Sequence, residues 1–552
     1  MAKRGKRATK CHNALNKSKM QWAWLLVFIV VLFCAAIRIR LLPTPLERDE
    51  GEYAYAGQLI LQGIPPYVHV YNMKLPGTYA AYAIAMALFG QNPTGIHLGL
   101  LFINAATIIL VFLLTRKLFD TITGLVASAS FGILSLGASV LGVFAHATHF
   151  VILPAIGGLL LLLKAKELRS RSMLFWSGLC LGLAFLMKQH GIFFVIFGAS
   201  YILIYNAHFS LRREKTGFSN QKLVDAAIFL LGAAVPFVLT CLILLLTGAL
   251  QKFWFWTWTY ALQYVTETSF STGCKLFRSG ISYVVQSAPA LWILAGLGLI
   301  CLFADREWRK RASFVGGLLL FSFFATCPGF YFRSHYFIVV LPVLAILNGI
   351  AVSTICNIAE RMHAPTYRKA AVLAFLLILG YSIFQQKTFL FKATPCEVCR
   401  LSYGAACFPE ALEVGKYIRE NSTEDDRIVV LGSEPEIYFY SRRMSATGYI
   451  YMYPLMEPSP LAEKMQREMI EETMASKPKF LIAVCIPTSW MRRRESPTLL
   501  FDWFTQYSAD NYKLVGSVEI LDLERTEYRW GEELNAYKPK AENRILVFAR
   551  KQ

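Results

Sequence analysis

Four polar turns set between apolar runs carry the residues of this chain that could do chemistry. The first opens with an acidic pair, Asp49–Glu50, and reaches Lys74 before the apolar pattern resumes. The second holds His146 and His149, the third Lys188, Gln189 and His190, and the fourth Arg333 and His335. A carboxylate can take a proton from a nucleophile. Lysine and arginine stabilise a developing anion where the dielectric is low. Ionisable groups flanked by apolar sequence are expensive and tend to mark function. Snorkelling at helix ends accounts for any one turn, but less well for all four. Asp49–Glu50 also has a plain structural reading, as a helix cap. Few other carboxylates accompany the pair in the apolar part of the chain on that side: Glu47, Glu52 and Glu267.

The elements that hold these turns are read from hydropathy. Hydrophobic residues make up 55% of the 552 and charged residues 17%, against about 25% charged in soluble domains. Apolar stretches near 21–37, 97–115, 122–141, 148–163, 173–187, 191–206, 225–247, 286–303, 312–327, 336–356 and 371–387 are of the length that crosses about 30 Å of hydrocarbon. In lipid such stretches form helices, because a helix satisfies its own backbone. The expected fold class is a polytopic α-helical membrane protein with about eleven transmembrane helices.

The formal net charge of +20 fits basic cytoplasmic loops. No compact basic domain stands apart from the spans, which argues against nucleic acid as a partner. The basic N-terminus runs into Trp22–Ile37 with no small-residue cleavage site, and Arg38 and Arg40 follow. This reads as an uncleaved first span with residues 1–20 in the cytoplasm. Arg116–Lys117, Lys164–Arg171, Arg212–Lys222, Arg306–Arg311 and Arg361–Lys369 then all fall inside, as the positive-inside rule asks. The expected organisation is a transmembrane domain over 21–387, with a first outer loop over about 43–96, and an extracytoplasmic α/β domain over 388–552. The short apolar segment 75–90 is read as an interfacial helix, because counting it as a span would reverse every later loop.

In the first outer loop, Asp49 is expected to cap a helix with Tyr53, Ala56, Leu59 and Ile60 on its apolar face. Gly63 should end it, and Pro65–Pro66 prevent its resumption. Lys74–Leu75–Pro76–Gly77 should open a second amphipathic helix. Lys74 is read as an interfacial lysine that contributes little packing. In the tail, short apolar runs at Arg427–Gly432 and Lys479–Val484 alternate with helical patterns and suggest a small α/β domain. Gly432–Ser433–Glu434 after a strand is a weak active-turn signal. Cys396–Glu397–Val398–Cys399, with Cys407 nearby, could form a disulfide or half a metal site.

The stretch RDEGEYAYAGQLILQG…KLPGTYAAYAIAMALFG resembles the GT-C glycosyltransferases, in the branch of protein O-mannosyltransferases and aminoarabinose transferases (glycosyltransferase family 39-like). The shared features are Asp49–Glu50, the turn from Gly63 to Tyr67, the Lys74–Pro76 step and Phe89–Gly90. Ala184–Gly191 and Phe332–Tyr336 with Leu341–Pro342 resemble later family turns. The likeness covers roughly residues 20–360. It implies a sugar on a polyprenyl phosphate as donor, an acceptor that is protein, lipid or glycan, and inverting transfer at the outer face of a membrane, expected to be the bacterial inner membrane. It implies Asp49 as the base or acceptor-orienting carboxylate and Lys74 as a contact to the lipid phosphate; Glu50 is expected beside Asp49 as the second catalytic carboxylate, and Lys188 and Arg333 are expected as further cations for the donor phosphate. Tyr53, Tyr67, His146, His149, His190 and His335 are expected to line the site. Many relatives carry a further acidic residue where this chain has His146-Ala-Thr-His149. The two histidines could share a divalent cation if helical, line the site, or pack at a helix end; no metal ligand and no cofactor is assigned. A lipid-linked phosphate leaving group needs no nucleotide pocket, and neither a P-loop nor a Rossmann fingerprint is present. Other readings are a transporter or flippase of lipid-linked sugars, for which paired internal repeats are missing, and a non-catalytic subunit.

Overall fold

Each of the eleven apolar stretches falls on a helix in the computed structural model, which describes residues 2–204, 220–535 and 538–551. Among the described residues six helices are long and apolar enough to cross a membrane: Met20–Arg40, Pro93–Leu118, Ala147–Leu168, Asn220–Leu246, Ser334–Arg361 and Pro365–Gln385. A seventh candidate is the pair Phe270–Val285 and Pro289–Ala304, bent by 108° at the break. Hydropathy saw only its second arm. Thr121–Leu134, Arg171–Met187, Gln189–Ile204 and Ala312–Phe324 are shorter apolar helices. Of the expected basic loop Arg212–Lys222, residues 212–219 lie outside the described residues.

The stretch expected as a span over 122–141 stops at Leu134. Its remainder is apolar but turns back on itself. A side chain at Gly142 would meet the Ser135 carbonyl oxygen at 2.3 Å, so the backbone closes where only glycine fits. Hydropathy cannot register such a closure.

The chain forms two units, each assembled from three stretches. The first contains residues 1–40, 100–240 and 265–392. Its helices approach closely through small residues, the usual packing device in lipid. A side chain at Gly178 or Gly182 would meet the Phe229 or Ala233 carbonyl oxygen at 1.9 or 2.2 Å. Arg38, buried in this unit, donates from Nη2 to the carbonyls of Ser135 and Gly142, both at 3.0 Å.

The second unit contains residues 41–99, 241–264 and 393–552. Its C-terminal part carries a six-stranded mixed sheet: β1 (Arg427–Leu431), β2 (Met444–Ser445), β3 (Phe480–Cys485), β4 (Tyr512–Ile520), β5 (Thr526–Trp530) and β6 (Arg544–Arg550), in the order β2-β1-β3-β6-β4-β5. β1 pairs in parallel with β2 and β3, and the other pairings are antiparallel. Val429 faces Leu481, and Ile482 faces Val547. The central strands β1 and β3 are buried almost throughout and rich in apolar residues, as a covered sheet requires.

Two helices in the same unit come from the loop after the first span. Arg48–Leu61 begins at Glu47, not at the expected Asp49: the Glu47 side chain accepts from the Glu50 amide, and Glu50 reaches back to the Glu47 amide. This is a capping box. A three-residue spacing from glutamate to glutamate forms it with a carboxylate where serine or threonine usually stands, so the cap was read two residues late. Gly63, at φ +81°, follows the helix end as expected. Gly77–Phe89 is the second helix, and Pro76 precedes it.

Candidate functional site

The capping box fixes what the helix Arg48–Leu61 presents. Glu50 is fully buried, and its Oε1 lies 3.0 Å from Nε2 of His97. Nδ1 of His97 lies 2.8 Å from the Leu42 carbonyl oxygen. A carbonyl only accepts, so Nδ1 carries a hydrogen. The Nε2–Oε1 contact holds the other side of the ring. Glu50 is therefore held inside the fold by its cap and by His97, while its neighbour Asp49 keeps 21% of its side chain accessible. Successive residues on a helix point about 100° apart.

Lys74 returns to this helix from the end of the loop. Its ammonium donates to Asp49 Oδ1 and to Glu52 Oε2, both at 2.7 Å. Glu52 has no accessible side chain. It also accepts from Asn72 at 2.9 Å and from the Tyr79 hydroxyl at 2.5 Å. Burial raises the Glu52 carboxyl above its ordinary range, and Lys74 and Tyr79 work against that shift. Burial by itself would depress the Lys74 ammonium, but Asp49 and Glu52 override it and hold the lysine well above its ordinary value. The hydroxyl of Tyr451 donates to Asp49 Oδ1 at 2.9 Å. The rings of Tyr53 and Tyr451 lie 4.6 and 5.4 Å from the ammonium, within cation–π range.

The structure thus brings Asp49, Lys74 and Tyr53 together. Tyr67 is fully buried at φ +69°, and its hydroxyl donates to the Lys74 carbonyl at 2.7 Å. It positions the lysine from behind. Lys74 is consequently part of the packing, contrary to its reading as a loosely attached interfacial residue. Its partners were hidden because three carboxylates compete for it in sequence, and only the capping box shows which of them are spoken for. Glu52, Asn72, His97 and Tyr451 were not singled out. Glu52 and Asn72 sit within reach of the motifs, whereas Tyr451 is 402 residues from Asp49 and left no local signal.

In the other unit three of the expected turns meet. His146 and His335 stack with ring centroids 4.2 Å apart and planes 12° apart. Tyr336 meets the His190 ring edge-on at 4.8 Å and receives the Lys188 ammonium 4.0 Å from its centroid. Nδ1 of His190 lies 2.6 Å from the Ala325 carbonyl oxygen, which fixes it as a donor. His146 precedes the helix Ala147–Leu168 and His149 lies in its first turn, fully enclosed. Within this unit the ring stacked on His146 is that of His335. Arg333 is exposed, with its guanidinium 5.7 Å from the Tyr331 ring centre.

Two signals from the tail are absorbed by the fold. Ser433 accepts from the Met452 amide at 2.9 Å, and Glu434 holds both Arg48, at 3.0 Å, and the Ser489 hydroxyl, at 2.6 Å. Cys396, Cys399 and Cys407 are free thiols, the first exposed and the other two buried.

Comparisons with known proteins follow the same lines. A sequence profile described as dolichyl-phosphate-mannose-protein mannosyltransferase matches residues 74–219, beginning at Lys74. No curated protein matches the chain significantly by sequence. Among solved structures, ArnT from Cupriavidus metallidurans bound to undecaprenyl phosphate superposes with a TM-score of 0.55 at 14% identity, over 96% of this chain and 98% of that one. The fold is that of the GT-C membrane glycosyltransferases. AglB, the oligosaccharyltransferase of Archaeoglobus fulgidus, in complex with an inhibitory peptide and a dolichol-phosphate, gives a TM-score of 0.55 at 14% identity, over 97% of this chain and 77% of that one. The apo oligosaccharyltransferase from Archaeoglobus fulgidus gives 0.54 at 13% identity, over 92% and 74%. The chain is an integral membrane protein.

The charge network makes a prediction about stability. Lys74→Ala leaves Glu52 buried without its cation, and removing one partner of a buried pair costs about 3–5 kcal/mol. The sign of the pH dependence follows from Glu52. Its folded carboxyl, already raised, rises further without Lys74, so the folded state binds the extra proton and loses stability as pH rises above the ordinary carboxylate range. Thermal unfolding in detergent should therefore show a larger Lys74→Ala deficit at pH 8 than at pH 5.5. An equal deficit at both would disconnect Lys74 from Glu52.

Proposed function

We propose that this chain transfers a sugar from a polyprenyl phosphate to an acceptor at the outer face of a membrane, with Asp49 as the group that accepts the acceptor's proton. The observation that carries this reading is the division of labour among the carboxylates on one GT-C helix start. Glu47 and Glu50 form the cap, Glu52 is sealed under Lys74, and Asp49 alone of the four is oriented by two donors while its side chain stays partly accessible. A general base needs that combination of fixed direction and access.

In the proposed reaction the acceptor oxygen or nitrogen gives its proton to Asp49 and bonds to the anomeric carbon. The bond from that carbon to the phosphate oxygen breaks, and the electron pair leaves with the phosphate. Attack opposite the leaving group inverts the anomeric centre. Lys74 is the cation proposed for the growing phosphate charge. Its contact with Asp49 would then loosen as the phosphate takes it over, freeing the carboxylate as the reaction needs it. Lys188 and Arg333 keep the phosphate-binding role as separate proposals, Lys188 on the strength of its place against Tyr336. The lipid-bound neighbours support the donor class: one holds undecaprenyl phosphate and another a dolichol-phosphate.

The proposed orientation puts residues 1–20 in the cytoplasm and 388–552 outside, in a bacterial inner membrane. The basic loops support it. Cys396 is exposed. In intact cells of a Cys274→Ser background it should react with an impermeant maleimide, and adding Cys396→Ser should remove that signal. Labelling only after the cells are opened would reverse the orientation.

Asp49→Asn should lower transfer at least about 10²-fold, the scale of general-base removal, in a purified assay with polyprenyl-phosphate-linked sugar. The variant should fold, because the cap belongs to Glu47 and not to Asp49. Glu50→Gln should instead act through stability, since Glu50 closes the cap and holds His97. Near-normal turnover by Asp49→Asn would remove the carboxylate from the chemistry.

A further inference from the structure

A cleft of about 950 Å³ opens beside the charge network, entirely within the unit that carries the sheet. Its walls come from the N-terminal ends of β1 and β3, the C-terminal end of β6, the loop residues Val68, His69 and Tyr71, and Lys252. Its size suits an organic ligand, and its lining is strongly cationic. Lys252, Arg427, Lys477, Lys479, Arg550 and Lys551 face three acids, Asp425, Asp426 and Glu472.

Two of those acids are engaged. Asp426 accepts from Lys479 at 3.0 Å, and Glu472 accepts from the Tyr71 hydroxyl at 3.2 Å and the Gly448 amide at 3.1 Å. Lys551 donates to the carbonyls of Ala509 and Asp510, and Arg550 to that of Lys477. The side chains of Arg427 and Lys477 make no hydrogen bond or ion pair among the described residues, so two cationic heads remain available on the wall. His69 reports the resulting field: its imidazole is held below its ordinary range by burial, then by Arg427 and Lys252.

The cleft is tied to Asp49 and Lys74 by two short tethers. The Tyr71 amide donates to the Gly448 carbonyl at 2.7 Å. Lys74 is the third residue after Tyr71, and Tyr451 the third after Gly448. Each tether spans at most about 11 Å even fully extended. Tyr71 is a firm wall, with Trp256 stacked at 5.6 Å and Tyr449 edge-on at 5.0 Å. A molecule held by Arg427 at the start of β1 must extend along the strand to reach Asp49, whose neighbour Arg48 binds Ser433 and Glu434 just past the strand's end. A polyprenyl chain does not suit a charged wall, so the occupant is not the donor's lipid.

We propose that this cleft binds the acceptor, and that the acceptor carries a phosphate-type anion which Arg427 and Lys477 hold while its nucleophile reaches Asp49. The acceptor role rests on the transferase reading; the binding of the anion does not. Phosphate is the chemistry that matches paired guanidinium and ammonium donors, whether it belongs to a water-soluble acceptor or to a lipid headgroup.

The test is calorimetric titration of the full-length protein in non-ionic detergent with two probes, inorganic pyrophosphate and dihexanoyl phosphatidic acid. Wild type should bind pyrophosphate at one site. Arg427→Gln/Lys477→Gln should weaken that binding at least about tenfold, as loss of a charge-assisted hydrogen bond implies. Phosphatidic acid binding with the same sensitivity assigns the site to a phosphate on a lipid, and pyrophosphate binding alone assigns it to a soluble anion. Asp49→Asn should bind both probes as wild type does. If Asp49→Asn keeps full transferase activity while the cleft variant loses pyrophosphate, the cleft stands and the reading of Asp49 falls. No binding by wild type, or unchanged binding by the double variant at unchanged thermal stability, overturns the cleft.

Discussion

Two carboxylates cannot stay charged in a nearly closed apolar pocket without a cation between them, and Lys74 is that cation. It binds Asp49 and Glu52 at equal distance. The surrounding structure keeps it in place: Tyr67 accepts a left-handed backbone and grips the Lys74 carbonyl, while Asn72 and Tyr79 complete the shell of Glu52. The helix Arg48–Leu61 must start where it does for Asp49 and Glu52 to point at one lysine. The Glu47–Glu50 capping box sets that start.

The same arrangement would let one lysine serve the fold and, in the proposed reaction, the chemistry as well. Glu52 is the structural partner, buried beyond the reach of any substrate. Asp49 stays partly accessible and has a second donor in Tyr451, so in the proposed reaction it is the partner that Lys74 can leave. The segment that supplies Tyr451 also forms a wall of the basic cleft through Gly448. The basic cleft, Asp49 and Lys74 are thus joined by a single pair of tethered loops.

Much of this was legible in the sequence where the signal is local. Apolar length located the helices, and the acidic pair, the lysine–proline step and Gly63 located the first loop's two helices. The later turns, from His146 to His335, were recognised as polar interruptions, and three of them do meet around Tyr336. The cap was misplaced because a glutamate at the cap position is uncommon, and the bent helix pair was missed because its first arm is amphipathic and not apolar. The role of Lys74 in packing, and the partnership of Tyr451 with Asp49, depend on contacts far apart in the chain. No periodicity or motif carries such contacts.

The claim that Lys74 has separable structural and chemical tasks is tested most directly by pairing Lys74→Met with Glu52→Gln. Thermal unfolding and sugar transfer from a polyprenyl-phosphate donor are measured for both single variants and for the double. The account predicts that the double variant regains most of the stability lost in Lys74→Met, because no unpaired charge remains on Glu52, while transfer stays lost. Recovery of transfer together with stability would show that the lysine serves the fold alone and would contradict the account.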